Sequence, residues 1–209
     1  EPRSENCPVE EVNWYEMVAY ANALSRSEGL PACYDLTDCV GQFGGGCPGN
    51  GTYCRATADI YQCAVAFAGL DCPGYRLPTE AEWERAARSG TETETYTAID
   101  RAAWYGGNAD GMPHPVAEKE ATADGAFDLL GNVKELTNDI WATDYGGIAN
   151  PSEAVLDPLG PVGIGYNVAG KGSSFGASAQ SVRAGIRESL WPDLRANSIG
   201  FRLVRTITP

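Results

Sequence analysis

The chain has 209 residues, with 15 Lys and Arg against 28 Asp and Glu, and a formal net charge of −13 at pH 7. An acidic surface repels phosphate groups, so nucleic acid and anionic lipid are excluded as expected partners. Hydrophobic residues make up 43% of the chain, which excludes intrinsic disorder, and no apolar run is long enough to span a membrane.

Two amphipathic helices are predicted early in the chain. Apolar side chains recur at helical spacing over residues 14–24, directly after Asn13, a residue type that caps helix N-termini. The second helix is predicted to begin after Thr79, because Glu82 follows three residues later in the spacing of a capping box. It is predicted to end at Gly90, since glycine commonly terminates helices.

Seven cysteines lie within the first 72 residues of the chain, six of them between residues 33 and 72. They are Cys7, Cys33, Cys39, Cys47, Cys54, Cys63 and Cys72. No C-x-x-C pair occurs, which disfavours structural zinc, and the Gly-rich stretch at 40–53 needs covalent support. The pattern predicts disulfides and an oxidising compartment, with reduced or metal-bound thiols as the alternative. Six cysteines allow 15 pairings and the sequence does not choose among them; Cys7 is left to pair within the cluster, to pair with another chain, or to stay free.

After Gly90 the chain alternates short apolar segments with Gly, Pro, Asn and Asp. This pattern predicts short strands in a loop-rich sheet. The segments are 102–105, 115–116, 127–130, 167–171, 181–187 and 199–205. Composition does not shift along the chain and no internal repeat occurs, so residues 1–209 are predicted to form a single α+β domain with a Cys-rich insertion at 33–72.

Five sequence blocks then occur in a recognisable order. They are CPVEEVNW at 7–14, GYRLPTEAEWE at 74–84, DLLGNVKEL at 128–136, KGSSF at 171–175 and GFRL at 200–203. This order resembles the sulfatase-modifying-factor, or formylglycine-generating-enzyme, family. The resemblance implies a C-type-lectin-like α+β fold with two early helices, short antiparallel strands and much irregular coil. The family usually carries further strands before the first block, so the domain is expected to be truncated or completed by another segment.

The catalytic cysteines that the resemblance implies have no counterpart here. Active members carry two cysteines between the KGSSF-like block and the next Arg-rich strand, and these bind copper(I) and activate oxygen. The matching stretch at 176–182 contains no cysteine, and Ser or Ala cannot replace soft thiolate ligands. A sister branch of iron-dependent sulfoxide synthases needs several His, whereas this chain has only His114. We therefore expect no copper, no catalytic residues and no enzymatic activity.

The resemblance also implies a calcium site in the block at 128–136. At the matching positions, Asp128 and Glu135 would bind Ca²⁺ through their side chains, and Gly131 and Val133 through their backbone carbonyls. Clustered hard oxygen ligands suit this ion. The alternative is that Asp128 caps a turn and Glu135 pairs with an Arg. Lys134 stands where the family usually has Trp, and its positive charge is expected to weaken the site.

Arg183, Arg187 and Arg202 are expected to be buried partners in ion pairs, because a buried Arg without a partner is costly.

The segment at 176–198 also resembles the variable region of diversity-generating-retroelement proteins, in which surface positions change ligand specificity. Expected ligand-binding residues on this basis are Ser178, Ser181, Leu190, Trp191 and Leu194.

The sequence thus predicts a non-catalytic binding or assembly module that is stabilised by Ca²⁺ and disulfides and is secreted or displayed on a bacterial cell surface. Its expected partner is a protein or glycan ligand, or the subunits of an extracellular assembly. One alternative is a variable ligand-binding protein of the retroelement type. Another is an enzyme with altered, copper-independent chemistry, which would require convergent groups near Ser174, Arg183 and Arg187.

Overall fold

The computed structural model describes residues 6–47, 53–55, 59–143 and 167–207. Its mixture of few helices and short strands confirms the predicted α+β fold. The helices are α1 (Trp14–Ser27), α2 (Glu80–Arg88) and α3 (Ile99–Ala102). The strands are β1 (Tyr34–Val40), β2 (Tyr53–Cys54), β3 (Gln62–Phe67), β4 (Tyr75–Arg76), β5 (Lys134–Ile140), β6 (Val168–Lys171), β7 (Glu188–Leu190), β8 (Arg195–Ala196), β9 (Ile199–Gly200) and β10 (Val204–Arg205).

The two long helices begin where the sequence predicts, and each begins with a complete capping box. In α1, the Asn13 side chain accepts a bond from the Glu16 N–H at 3.0 Å, and the Glu16 carboxylate accepts one from the Asn13 N–H at 2.9 Å. Thr79 and Glu82 make the same reciprocal pair at the start of α2. These bonds satisfy amide groups that the first helical turn would otherwise leave unpaired.

The core forms two clusters, one beneath each long helix. Met17, Val18 and Ala21 of α1 pack on Leu77 and Leu136 in the first. The second cluster surrounds Trp83 of α2 and includes the buried side chains of Ala87, Leu129, Leu130 and Val182. Because both clusters contain residues from the middle and the end of the chain, they hold the irregular segments between the strands in place.

Four strands form the main sheet in the order β7–β6–β5–β9. Neighbours β7, β6 and β5 are antiparallel, whereas β5 and β9 run parallel. Lys134 begins β5 and Glu188 begins β7, on either side of β6, and their side chains form an ion pair. The sheet therefore brings together two residues that lie far apart in the sequence.

The Cys-rich insertion is a β1–β3 hairpin closed by disulfides and attached to β8 through β2. The disulfides join Cys33 to Cys72, Cys39 to Cys63, and Cys47 to Cys54. Cys7 remains a free, half-buried thiol. The prediction of disulfides within the 33–72 cluster is therefore confirmed, and Cys7 takes no part in them.

Several predicted strands are wrong. Residues 102–105 contain the end of α3 and one isolated bridge at Trp104. Residues 127–130 form a loop in which Asp128 adopts a left-handed φ of 54° and only Leu129 and Leu130 are buried. Residues 181–187 contain only the end of a 3₁₀ turn before β7 begins at Glu188. The sequence missed β5 because its residues are buried on both faces and show no polar alternation.

Candidate functional site

The candidate site is an open hollow of about 450 Å³ beside the main sheet. We call it the 174–198 hollow. It is lined by Lys134, Ser174, Phe175, Gly176, Ala177, Ser181, Glu188, Asn197 and Ser198. Four of these side chains carry hydroxyl or amide groups, and two carry opposite charges, so the hollow offers donors and acceptors without a large net charge.

The floor of the hollow carries the ion pair between Lys134 and Glu188. The Lys134 ammonium contacts the Glu188 carboxylate, and its side chain is much more buried than that of Glu188. The Lys134 N–H donates to the Ser198 carbonyl at 2.8 Å, which ties β5 to the turn before β9. Sequence reasoning missed this pair, although the Lys at a position where the family usually has Trp was a signal.

One wall of the hollow is the loop that follows β6. Gly172 and Ser173 both adopt positive φ, and the Phe175 N–H donates to the Asn132 carbonyl at 2.7 Å. The Ser173 hydroxyl donates to the Ser181 carbonyl at 2.6 Å, which closes the loop on itself. A Cβ atom placed on Gly176 would meet no other heavy atom within 4 Å, so this position opens directly into solvent space.

The same loop contains the stretch where the resemblance places a copper-binding cysteine pair. Ala177 lines the hollow, Val182 is buried in the second core cluster, and none of the hollow's lining residues is Cys or His. Hydroxyl, amide and charged oxygen or nitrogen groups are poor ligands for copper(I). The hollow can therefore hold a polar ligand, but its chemistry does not fit the metal.

The predicted ligand-binding residues fall into three environments. Ser181 lines the hollow, and Ser178 lies beside it with its hydroxyl oxygen 3.2 Å from that of Ser181. Leu190 is half-buried and packs on the first core cluster, whereas Trp191 is exposed. The prediction of Leu194 as a surface residue is wrong: it is only 4% exposed and belongs to the core, because the turn at 191–194 directs it inward.

The exposed Trp191 ring contacts the Cys-rich insertion. The Arg55 guanidinium lies 3.9 Å from the centre of the Trp191 ring, and Arg55 also approaches the Asp193 carboxylate at 3.4 Å. Tyr53, which is exposed, pairs with Ala196 across the β2–β8 ladder. The insertion therefore places side chains next to the segment at 176–198, which the sequence predicts to bind a ligand.

The three expected arginines do not converge on the hollow. Arg187 forms a buried ion pair with Glu80, as predicted. Its guanidinium carbon lies 4.5 Å from the centre of the Trp141 ring. Arg183 is exposed and approaches only the exposed Glu94, so the prediction of burial is wrong for this residue. Because Arg183 and Arg187 pair elsewhere, Ser174 has no charged neighbour from this group to activate it.

The block that resembles a calcium loop borders a second hollow of about 460 Å³. Asp128, Val133 and Glu135 line it, together with the free Cys7. The Asp128 carboxylate accepts a bond from the Ala117 N–H at 2.7 Å. Thus three of the four predicted calcium ligands reach the same hollow, and Gly131 lies in the tight turn between them at a φ of 75°.

The Glu135 carboxylate already has partners within the protein. It accepts bonds from the Trp83 indole N–H at 2.6 Å and from two nitrogens of Arg202. Arg202 is thus the ion-pair partner that the sequence predicts, although it is partly exposed. Among the described residues, no group of three or more His, Cys, Asp or Glu side chains is placed to hold a metal ion.

The Asp128 carboxyl has a raised pKa. Burial raises the pKa of its carboxyl above the ordinary value, and the neighbouring carboxylates of Glu135 and Glu118 add to this rise. Arg202 opposes the shift but does not abolish it. The carboxylate and carbonyl oxygens available here fit Ca²⁺ in chemical type, but Arg202 already occupies the Glu135 carboxylate and would compete with a cation for it.

The fold and the two hollows define a formylglycine-generating-enzyme-like domain that has no thiol in the 174–198 hollow. Comparison with protein families matches residues 1–207 to the sulfatase-modifying factor enzyme 1-like domain. The chain therefore belongs to the sulfatase-modifying-factor family, as the sequence blocks predict.

Among the curated relatives, the chain is 31% identical over 159 residues to the chaperone protein LppX of Paenibacillus barcinonensis, which corresponds to 64% of this chain and 52% of LppX. It is 32% identical over 159 residues to the formylglycine-generating enzyme of Thermomonospora curvata, covering 66% of this chain and 51% of that enzyme. The chain thus spans about half the length of these two relatives.

Among solved structures, variable protein 1 of Treponema denticola superposes with a TM-score of 0.73 at 28% identity, over 97% of this chain and 74% of that one. The relatives therefore include proteins named as enzymes and proteins with other names.

In the part of the chain that the structure describes, none of the helices has the length and apolar character needed to cross a bilayer.

Proposed function

We propose that the protein is a non-catalytic binding module that holds its ligand in the 174–198 hollow. One observation carries this proposal. At the position where the resemblance places a copper-binding cysteine pair, the hollow is lined by Ser, Gly and Ala, with the Lys134–Glu188 ion pair on its floor. These groups can form hydrogen bonds to a ligand but cannot bind copper(I) through sulfur.

The environment of the serines supports a binding role over an altered enzymatic one. A nucleophilic Ser needs an adjacent base, whereas the Ser181 hydroxyl oxygen lies 3.2 Å from the Ser178 hydroxyl oxygen. Lys134 is engaged by Glu188 in an ion pair, so its side chain already has a partner. These contacts favour ligand binding over nucleophilic chemistry in the hollow.

We further propose that the module works outside the cytoplasm and binds a protein or glycan. Three disulfides in one short insertion are typical of proteins from oxidising compartments. The hydroxyl, amide and ion-pair groups of the hollow suit the hydroxyls of a sugar or the backbone of a peptide. A relative named as a chaperone protein is consistent with a protein ligand.

Calcium is proposed as a structural ion beside the second hollow. Asp128 and Glu135 would hold it through their carboxylates, and Gly131 and Val133 through their carbonyls. The raised pKa of Asp128 is compatible with this, because burial is its main cause and a bound cation would compensate a carboxylate that is poorly solvated. The ion would fix the loop at 128–135, which leads directly into β5 and Lys134.

A second candidate function is variable ligand binding of the retroelement type. The observation that favours it is the similarity to the Treponema denticola variable protein over almost the whole chain. Under this proposal, residues that line the hollow or lie beside it, such as Ser178 and Ser181, would differ among closely related copies. Sequencing the gene in many isolates would test it, since uniform sequences at these positions would contradict it.

The binding proposal is tested by blocking the hollow. Gly176→Trp fills open space without backbone strain, whereas Gln180→Trp places the same side chain on an exposed position outside the lining. Both variants and the wild type are applied to a printed glycan array and to immobilised peptide libraries. We expect signals that Gly176→Trp abolishes and Gln180→Trp retains. Equal signals from all three proteins would contradict the proposal.

A further inference from the structure

The Cys-rich insertion exposes an aromatic and aliphatic surface that no other described part of the chain covers. Val40 and Phe43 are each 55% exposed, and the Phe43 ring meets the Tyr61 ring edge to face, with 5.4 Å between ring centres. We call these three residues the Phe43 patch. Exposed apolar and aromatic side chains that cluster in this way can mark a protein interaction site.

The patch is held rigidly by the surrounding structure. The Cys39–Cys63 disulfide joins the two strands beneath it, and the Tyr61 hydroxyl lies 3.5 Å from the Cys39 sulfur. Behind Phe43, the Gly44 N–H donates to the buried Glu16 carboxylate at 2.7 Å. A surface that is already ordered loses little conformational entropy when a partner binds.

Two aspartates lie close to the patch along the backbone and make this part of the insertion acidic. Asp38 lies two residues before Val40, and the Asp59 carbonyl accepts a bond from the Gln42 N–H at 2.8 Å. Both Asp side chains are exposed. In sequence, residues 33–72 contain four Asp and one Arg, and that single cation, Arg55, is engaged by Trp191 and Asp193.

We propose that the Phe43 patch docks a cationic segment of a partner protein, with Arg or Lys side chains alternating with apolar ones. Aromatic rings next to carboxylates attract guanidinium and ammonium groups through cation–π contacts and charge-assisted hydrogen bonds. A second copy of this chain is a poor occupant, because two negatively charged insertions would face each other. This surface is separate from the 174–198 hollow and does not depend on the function proposed for it.

Fluorescence anisotropy tests the proposal with a labelled peptide of four Arg-Gly-Leu repeats. Peptides in which Gln or Glu replaces each Arg serve as probes of charge. We expect only the Arg peptide to bind, with affinity that falls between low and physiological salt. Phe43→Ser and the double variant Asp38→Asn, Asp59→Asn should each weaken binding at least about fivefold.

Two control variants separate a specific surface from the general acidity of the chain. Ile207→Ser removes an exposed apolar side chain elsewhere, and Glu92→Gln with Asp110→Asn removes two exposed charges elsewhere. Both should bind the Arg peptide like the wild type. The proposal is overturned by equal losses in the control variants, by unchanged binding in Phe43→Ser, or by equal binding of the Gln peptide. A concentration-dependent dimer that Phe43→Ser abolishes would assign the patch to a second copy and overturn it as well.

Discussion

Arg195 is the side chain whose removal should damage the protein most. Its guanidinium makes two bonds to the Glu16 carboxylate, at 2.9 and 2.7 Å, and both side chains are only 2% exposed. It also donates to the carbonyls of Gly46 and Gln42 in the Cys-rich insertion. Arg195 therefore joins α1, the insertion and β8 through one planar group.

The expected cost follows from the burial of this pair. Arg195→Met leaves the Glu16 carboxylate buried without its counter-charge, which typically costs about 3–5 kcal/mol of unfolding free energy. In a chain of this size, that loss lowers the melting temperature by roughly 6–20 °C. The matched control is Arg101→Ala, because the Arg101–Glu120 pair is 65% and 42% exposed and its loss should cost about 0–1 kcal/mol.

Urea unfolding followed by tryptophan fluorescence measures both variants. Arg195→Lys is added because it keeps the charge but cannot form the two-pronged contact with Glu16, so its cost should lie between those of the other two. If Arg195→Met unfolds within about 1 kcal/mol of Arg101→Ala, the insertion is not held by this pair and the reasoning fails.

Three further predictions concern the cysteines, the calcium loop and the buried charges. Alkylation without reductant should label Cys7 alone, and labelling after reduction and unfolding should reach all seven cysteines; mass spectrometry distinguishes the two patterns, and any other cysteine labelled before reduction would contradict the disulfides. Adding Ca²⁺ should raise the melting temperature of the wild type but not that of Asp128→Ala, and an equal rise in both would remove Asp128 from the site. Burial raises the pKa of Glu84, but the bond and charge of Lys171 outweigh this and hold the pKa below its ordinary value. A carboxylate with a lowered folded pKa stabilises the protein above its unfolded pKa, so stability should fall as the pH drops below about 4.3, and Glu84→Gln should make urea unfolding less dependent on pH in that range.

The helices could be predicted because their signals are local. The capping boxes at Asn13 and Thr79 and the apolar stripe of α1 require only contacts between near neighbours in sequence, and the structure contains both boxes. The short strands could not be predicted as well, because pairs such as β5 with β9 depend on the burial of distant segments. Two- and three-residue strands carry no periodicity from which to identify them.

The candidate site shows the same limit. The absence of cysteine at 176–182 is visible in the sequence, whereas the ion pair of Lys134 and Glu188 arises only when β5 and β7 flank β6. The small and mixed residues around Leu194 predict a surface position for it, yet tertiary packing buries it. The sequence therefore shows directly that a residue type such as cysteine is missing from a segment. It does not show which side chains from distant segments come into contact in the folded protein.

The central claim is that this member of the family binds and does not catalyse. It is tested most directly by incubating the protein with a sulfatase-derived cysteine peptide, copper(I), oxygen and a thiol reductant that supplies the two further electrons, and measuring formylglycine in the peptide by mass spectrometry. The formylglycine-generating enzyme of Thermomonospora curvata is the positive control. We predict no formylglycine above the protein-free background. Repeated turnover by this chain would contradict the claim.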